Sequence, residues 1–102
     1  MTKLVSRSLH AVTAARVAEL FQAMSDPSRV RILFSLLQGE VNVGAIAAQI
    51  GVSESAVSHH LRGLRQLRIV SARKDGRTVF YALDDDHVRS LLTFGLEHIE
   101  HA

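Results

Sequence analysis

Half of the six histidines in this sequence, His87, His98 and His101, fall in its last stretch, Asp84 to His101, among Asp85, Asp86, Glu97 and Glu100. Imidazoles and carboxylates together are ligands for a divalent metal such as zinc. His98 and His101 are three apart and share a face of a helix. His87 and His98, eleven apart, also share a face, but about 16 Å of helix rise separates them. Zinc–imidazole bonds are about 2 Å long, so one straight helix cannot bring both to one ion. Two copies can. Set antiparallel about a two-fold axis, Asp85 and His87 of one helix meet His98 and His101 of the other, and symmetry gives two sites per dimer. In mid-helix Asp85 and His87 would point about 200° apart. They converge only if Asp85 sits at or just outside the first turn, where an acidic cap is favoured. One oxygen and three imidazoles make a tetrahedral zinc set. Spacing alone fits equally well a solvated, charged dimer helix whose histidines are incidental.

The elements around this helix follow from composition and pattern. A chain of 102 residues, 47% apolar, is one small domain, expected over residues 1–102, and dimerisation helps a core of this size. With no cysteine, disulfides and thiolate metal sites are excluded. The first ten residues lack the apolar run of a signal peptide and are expected to be flexible. No stretch approaches the roughly 20 apolar residues of a membrane span, so a cytoplasmic protein without membrane contact is expected. The net charge of +2 hides a split. Arg62, Arg65, Arg68, Arg73, Lys74 and Arg77 face Asp75 alone in the middle of the chain, whereas Arg89 stands alone among five carboxylates after residue 83. A basic block points to a polyanion, an acidic tail to a cation; on charge alone the basic block is equally a solvated face.

Alanine, valine, leucine and phenylalanine recur from 11 to 24 in a first helix, apolar over much of its surface and therefore packed on two neighbours, one of which can be a second subunit. His10 before it reads as a free surface histidine. Asp26-Pro27 is a helix start, cap then first turn. That helix is predicted to run to about Gln38 with Val30, Ile32, Leu33, Leu36 and Leu37 inward, and Gly39 stops it. Arg29 and Arg31 fall on its polar side, as solubilising or ion-paired residues. Asn42 caps a short helix over 43–50. Gly51-Val52 makes a tight turn, and Ser53 caps a longer helix from Glu54 to about Gln66 with Val57, Leu61 and Leu64 buried. Two helices joined in this way are the helix-turn-helix pattern. The second presents Ser53, Glu54, Ser55, Ser58, His59 and Arg62, short polar groups able to reach base edges and phosphates in a major groove. His60, between Val57 and Leu61, reads as a half-buried structural histidine. Residues 69–74 and 77–83 are β-prone runs joined by Asp75-Gly76, a hairpin signal. Arg73, Lys74 and Arg77 are expected at its tip, where a basic wing meets phosphates or a minor groove.

From about residue 14 to 101 the chain resembles the ArsR/SmtB family of small, dimeric, metal-sensing repressors. The resemblance rests on Ala23-Met24-Ser25-Asp26-Pro27-Ser28-Arg29-Val30-Arg31-Ile32-Leu33, on Val52-Ser53-Glu54-Ser55-Ala56-Val57-Ser58-His59-His60-Leu61 and on the Asp75-Gly76-Arg77 wing. Asp85, His87, His98 and His101 match the spacing of the family's metal motif on its last helix. The resemblance implies a mainly α winged helix-turn-helix with a small β-hairpin, a homodimer joined through its first and last helices. It implies that the metal-free dimer holds operator double-stranded DNA and that Zn(II) at the inter-subunit sites releases it, derepressing metal efflux or sequestration genes. It also implies that His98 bonds through its other ring nitrogen to the backbone carbonyl of Arg68, a link from metal to DNA-reading helix. Nickel and cobalt sensors of the family use the same four ligands plus N-terminal donors. Here His10 is the only N-terminal histidine, which favours four-coordinate Zn(II) over Co(II) or Ni(II). His98-Ile99-Glu100-His101 is not the His-Glu-x-x-His of a metalloprotease, and four protein ligands leave no open position for water, so an enzyme is not expected. A winged-helix regulator without a metal response is the remaining alternative.

Overall fold

The computed structural model describes residues 8–101, so the flexibility expected of residues 1–7 lies outside the described residues; residues 8–10 take no regular structure. In chain order the elements are α1 (Ala11–Ala23), α2 (Pro27–Ser35), β1 (Val41–Asn42), α3 (Val43–Ile50), α4 (Glu54–Gln66), β2 (Val70–Asp75), β3 (Thr78–Leu83) and α5 (Asp86–Glu100). Four of the five helices among the described residues open on a side-chain cap. Asp26 accepts from the Arg29 amide, Asn42 from Ala45, Ser53 from Ala56 and Asp85 from Val88. Each satisfies one of the donors that a helix start leaves without a partner.

The helix-turn-helix is set by Gly51. Its φ of 73° lies in the left-handed region, and its amide and that of Val52 both donate to the Ala47 carbonyl. A chain reversal this tight suits glycine, which has no Cβ to clash. Ile32 and Leu33 from α2, Leu36 that caps its end, Ile46 from α3, and Val57, Leu61 and Leu64 from α4 meet in the core with no exposed surface. Ile69 and Val70 close it from the sheet side.

Three sequence expectations are corrected here. α2 ends at Ser35 rather than near Gln38, because the Leu36 and Leu37 amides turn back to the carbonyls of Leu33 and Phe34, tightening the last turn. The hairpin is also not alone. β1 pairs antiparallel with β3, Val41 opposite Tyr81 and Asn42 opposite Phe80, which makes a three-stranded sheet in the order β1-β3-β2. The β2–β3 register runs from Val70 opposite Leu83 to Asp75 opposite Thr78, so the connecting loop is Gly76-Arg77, one residue later than expected. Only Gly76 of that pair has a positive φ, at 62°.

α1 and α5 stand apart from this body. α1 buries only Ala23, and leaves Val12 73% and Phe21 53% exposed. α5 is fastened by Val88 and Leu92 and by the Arg89 guanidinium, which donates to the Leu37 carbonyl. Phe94, Leu96 and Ile99 remain exposed. The radius of gyration, 15.1 Å, exceeds the roughly 13 Å of a compact chain of this length.

Candidate nucleic-acid interface and metal half-sites

On α4, Ser53, Glu54, Ser55, His59 and Arg62 are exposed and Ser58 is half-buried. They follow from the helix period: with Val57, Leu61 and Leu64 turned to the core, the remaining positions face outward. Ser53 serves as the cap as well, and its hydroxyl lies 3.3 Å from that of Ser55. The same face continues into a cleft lined by Ser58, Arg62, Arg65, Gln66 and Tyr81. Sequence reasoning places Arg65 only in the basic block and does not single out Gln66 or Tyr81. Arg65 is one helical turn beyond Arg62 and legible by spacing; Tyr81, opposite Ala72 of β2, reaches the cleft because β2 packs against α4.

The wing carries Lys74 and Arg77 exposed, without a carboxylate within 4 Å among the described residues. Arg73 is different, and its expected place at the tip is corrected. It lies within β2 opposite Phe80, with its guanidinium 5.0 Å from the centre of the Phe80 ring. Its Nε and Nη2 donate to the two carboxylate oxygens of Glu40 at 2.8 and 2.9 Å. This bidentate pair holds the Glu40 carboxyl below the usual range and raises Arg73. Arg73 thus braces the wing against the start of β1.

The histidine-bearing helix presents two half-sites. Asp85 is the N-cap residue, with extended backbone (φ −156°, ψ 179°), so it sits just outside the first turn. One oxygen accepts from the Val88 amide at 3.1 Å; the other lies 3.5 Å from His87 Nδ1. The Val88 hydrogen bond, then the neighbouring imidazole, hold this carboxyl below its ordinary range, so it is ionised at neutral pH. His87 is 95% exposed. His98 is in the last turn, His101 is the C-cap, and both are exposed. No three of His, Asp or Glu converge in a single chain among the described residues. The donor types suit zinc: one free carboxylate oxygen and three solvent-facing imidazoles, grouped two and two at the ends of α5.

Arg68 has the only non-glycine positive φ among the described residues, 58°. It follows the C-cap Leu67, its amide donates to the Arg65 carbonyl, and the Ile69 amide donates to Leu64. This is a Schellman closure with arginine where glycine is usual. Arg68, with Gln66 and Leu67, lines a cleft shared with Thr13, Arg16, Val17, Glu19 and Leu20 of α1. No hydrogen bond joins His98 to Arg68 among the described residues. His10, at the start of α1, is exposed and makes no side-chain cap bond.

Three core helices, a tight glycine turn and a basic hairpin define a winged helix-turn-helix. Residues 26–72 match the family described as bacterial regulatory protein, arsR family. The chain is 46% identical over 87 residues to a transcriptional repressor SmtB homolog of Synechocystis sp., covering 85% of this chain and 66%, just under two thirds, of that protein. It is 44% identical over 96 residues to the HTH-type transcriptional regulator NmtR of Mycobacterium tuberculosis, covering 94% of this chain and 80% of that protein. The solution structure of apo-NmtR superposes with a TM-score of 0.79 at 43% identity, over 95% of this chain and 82% of that one. A homodimeric winged helix-turn-helix DNA-binding domain of a possible ArsR-family regulator from Mycobacterium bovis gives 0.81 at 30% identity, over 95% and 94%. The chain belongs to the ArsR/SmtB family, whose members are DNA-binding transcriptional regulators and not enzymes. Its relatives include a cadmium resistance transcriptional regulatory protein CadC homolog of Staphylococcus aureus, 45% identical over 83 residues.

Proposed function

We propose that this chain is a cytoplasmic, metal-responsive transcriptional repressor. Its homodimer, joined through α1 and α5, holds operator double-stranded DNA when metal-free. It releases that DNA when Asp85 and His87 of one subunit, with the partner subunit's His98 and the partner subunit's His101, ligate Zn(II), which frees metal efflux or sequestration genes for transcription. The observation that carries this reading is the division of α5 into two exposed donor pairs, Asp85/His87 at its start and His98/His101 at its end. About 16 Å apart along one helix, the pairs serve one ion only across two chains. A bound metal would supply a cross-link between subunits.

The chain's own residues do the rest. Ser53, Glu54, Ser55, Ser58, His59 and Arg62 are the candidates for reading bases and phosphates, and Lys74 and Arg77 for the flanking backbone. Arg73, held by Glu40, acts on DNA mainly by fixing the wing. The Arg68 carbonyl, just past the end of α4, is the acceptor proposed for His98. Imidazole ligands with no thiolate available support zinc, cobalt or nickel over softer ions. A Co(II) titration of the metal-free dimer followed by visible absorption tests the site: intense bands saturating at one ion per subunit mark four-coordination. Weak bands move the reading to a six-coordinate Ni(II) or Co(II) sensor using His10. Operator binding followed by anisotropy tests the switch, and zinc-driven release that survives His98→Ala would sink it.

A further inference from the structure

Arg29 does not lie on a solvated face, and it has no ion pair among the described residues. Its backbone amide is fixed by the Asp26 cap at the start of α2. From there its half-buried side chain crosses two helix boundaries. Nε donates to His60 Nδ1 on α4 at 3.1 Å, and Nη1 donates to the Ala23 carbonyl at the end of α1 at 3.4 Å. The guanidinium also lies against Gly63, one turn along α4 from His60. A Cβ built on Gly63 would stand 2.8 Å from Arg29 Nη2 and 3.3 Å from its central carbon, so the space that the missing side chain leaves is filled by the guanidinium.

We infer that Arg29 is the positioning residue for the DNA-reading helix: by gripping His60 and the bare backbone at Gly63, it fixes the roll of α4 relative to α1 and α2 while making no contact with DNA itself. The inference rests on the reading of α4 as the recognition helix. His60 and Gly63 lie between the buried stripe of Val57, Leu61 and Leu64 and the edge of the outward face marked by His59, so the grip leaves Ser55, Ser58 and Arg62 free. The apolar contacts of Val57, Leu61 and Leu64 hold α4 against the body but are non-directional. A planar guanidinium bonded to an imidazole and a carbonyl is directional, and it sets an angle. His60 accepts through Nδ1, so its proton resides on Nε2 in this arrangement.

Gly63→Ala is the informative variant. The atom it displaces is the end of a flexible arginine, so the fold accommodates it, and alanine is the better helix former, offsetting the lost hydrogen bonds. A residue important only for stability would therefore show little. The probe is a duplex enriched by the wild-type chain from a random-sequence pool, with binding followed by anisotropy over a salt series and folding checked by circular dichroism. Gly63→Ala, Arg29→Met and His60→Leu are each expected to bind this duplex about tenfold more weakly, with the slope of log affinity against log salt unchanged. Arg29→Met in the Gly63→Ala background should cost no more than either alone. His60→Gln, which keeps an acceptor, should restore binding to within about twofold of wild type. Wild-type affinity in both Gly63→Ala and Arg29→Met overturns the inference. So does a salt slope reduced by about one in Arg29→Met, the mark of a lost phosphate contact. If the wild-type chain enriches no duplex at all, the DNA-binding reading itself falls, and this inference with it.

Discussion

Asp85 does two jobs with two oxygens. One caps α5 through the Val88 amide, and the other faces His87. Substitution can separate them. Asp85→Asn keeps an acceptor for the cap and should leave the stability of the metal-free chain within about 0.5 kcal/mol, whereas Asp85→Ala should cost about 1 kcal/mol. Both should weaken zinc binding. Urea denaturation at fixed protein concentration, read beside a zinc titration, checks the pair. Glu40 offers a test by pH. Its folded pKa is depressed by Arg73, so the pair contributes stability above the ordinary glutamate range and loses it as pH falls through the depressed value. The Glu40 carboxylate carbon should titrate below a normal glutamate by NMR, and Arg73→Ala should return it to the normal range. Neither partner of Arg29 or Arg73 was legible in sequence. Helix spacing places Arg29 on a polar face, as a solvated or ion-paired residue, but cannot show the histidine thirty-one residues away.

At the scale of elements, the caps were legible because each is a local event. A short polar side chain meets an amide three residues on at Asp26, Asn42, Ser53 and Asp85, and all four caps formed. The hairpin was legible from its β-prone runs and its glycine. β1 was not: two residues carry no period, and Val41-Asn42 is a strand only because β3 lies alongside. The end of α4 shows the same limit. Arg68 has no sequence mark of a left-handed residue, yet the burial of Ile69 and Leu64 on either side of it forces the closure. Arg68→Gly should relieve that backbone and stabilise the chain by about 1 kcal/mol, measurable as a higher denaturation midpoint at unchanged slope. Retention of the backbone carbonyl in this variant also separates the carbonyl's role in coupling from that of the side chain.

At the scale of the molecule, the apolar residues left over mark the surfaces proposed to meet a second subunit. Val12, Val17 and Phe21 on α1, and Phe94, Leu96 and Ile99 on α5, are large and exposed, whereas the central helices have their inward faces covered. Exposure of this kind along two projecting helices is what a subunit interface requires. Sedimentation equilibrium of the wild-type chain should give twice the chain mass, and Phe94→Glu combined with Ile99→Glu should give the single-chain mass with helix content retained. By itself the sequence determined the helices, their caps, the turn of the helix-turn-helix and the two-by-two grouping of the α5 donors, because each is set by contacts within a few residues or by the period of a helix. Only the tertiary structure decided where the long arginines end, that the wing is braced at Glu40, that Arg68 turns left-handed, and which apolar surfaces stay uncovered, because those depend on residues brought together from distant parts of the chain.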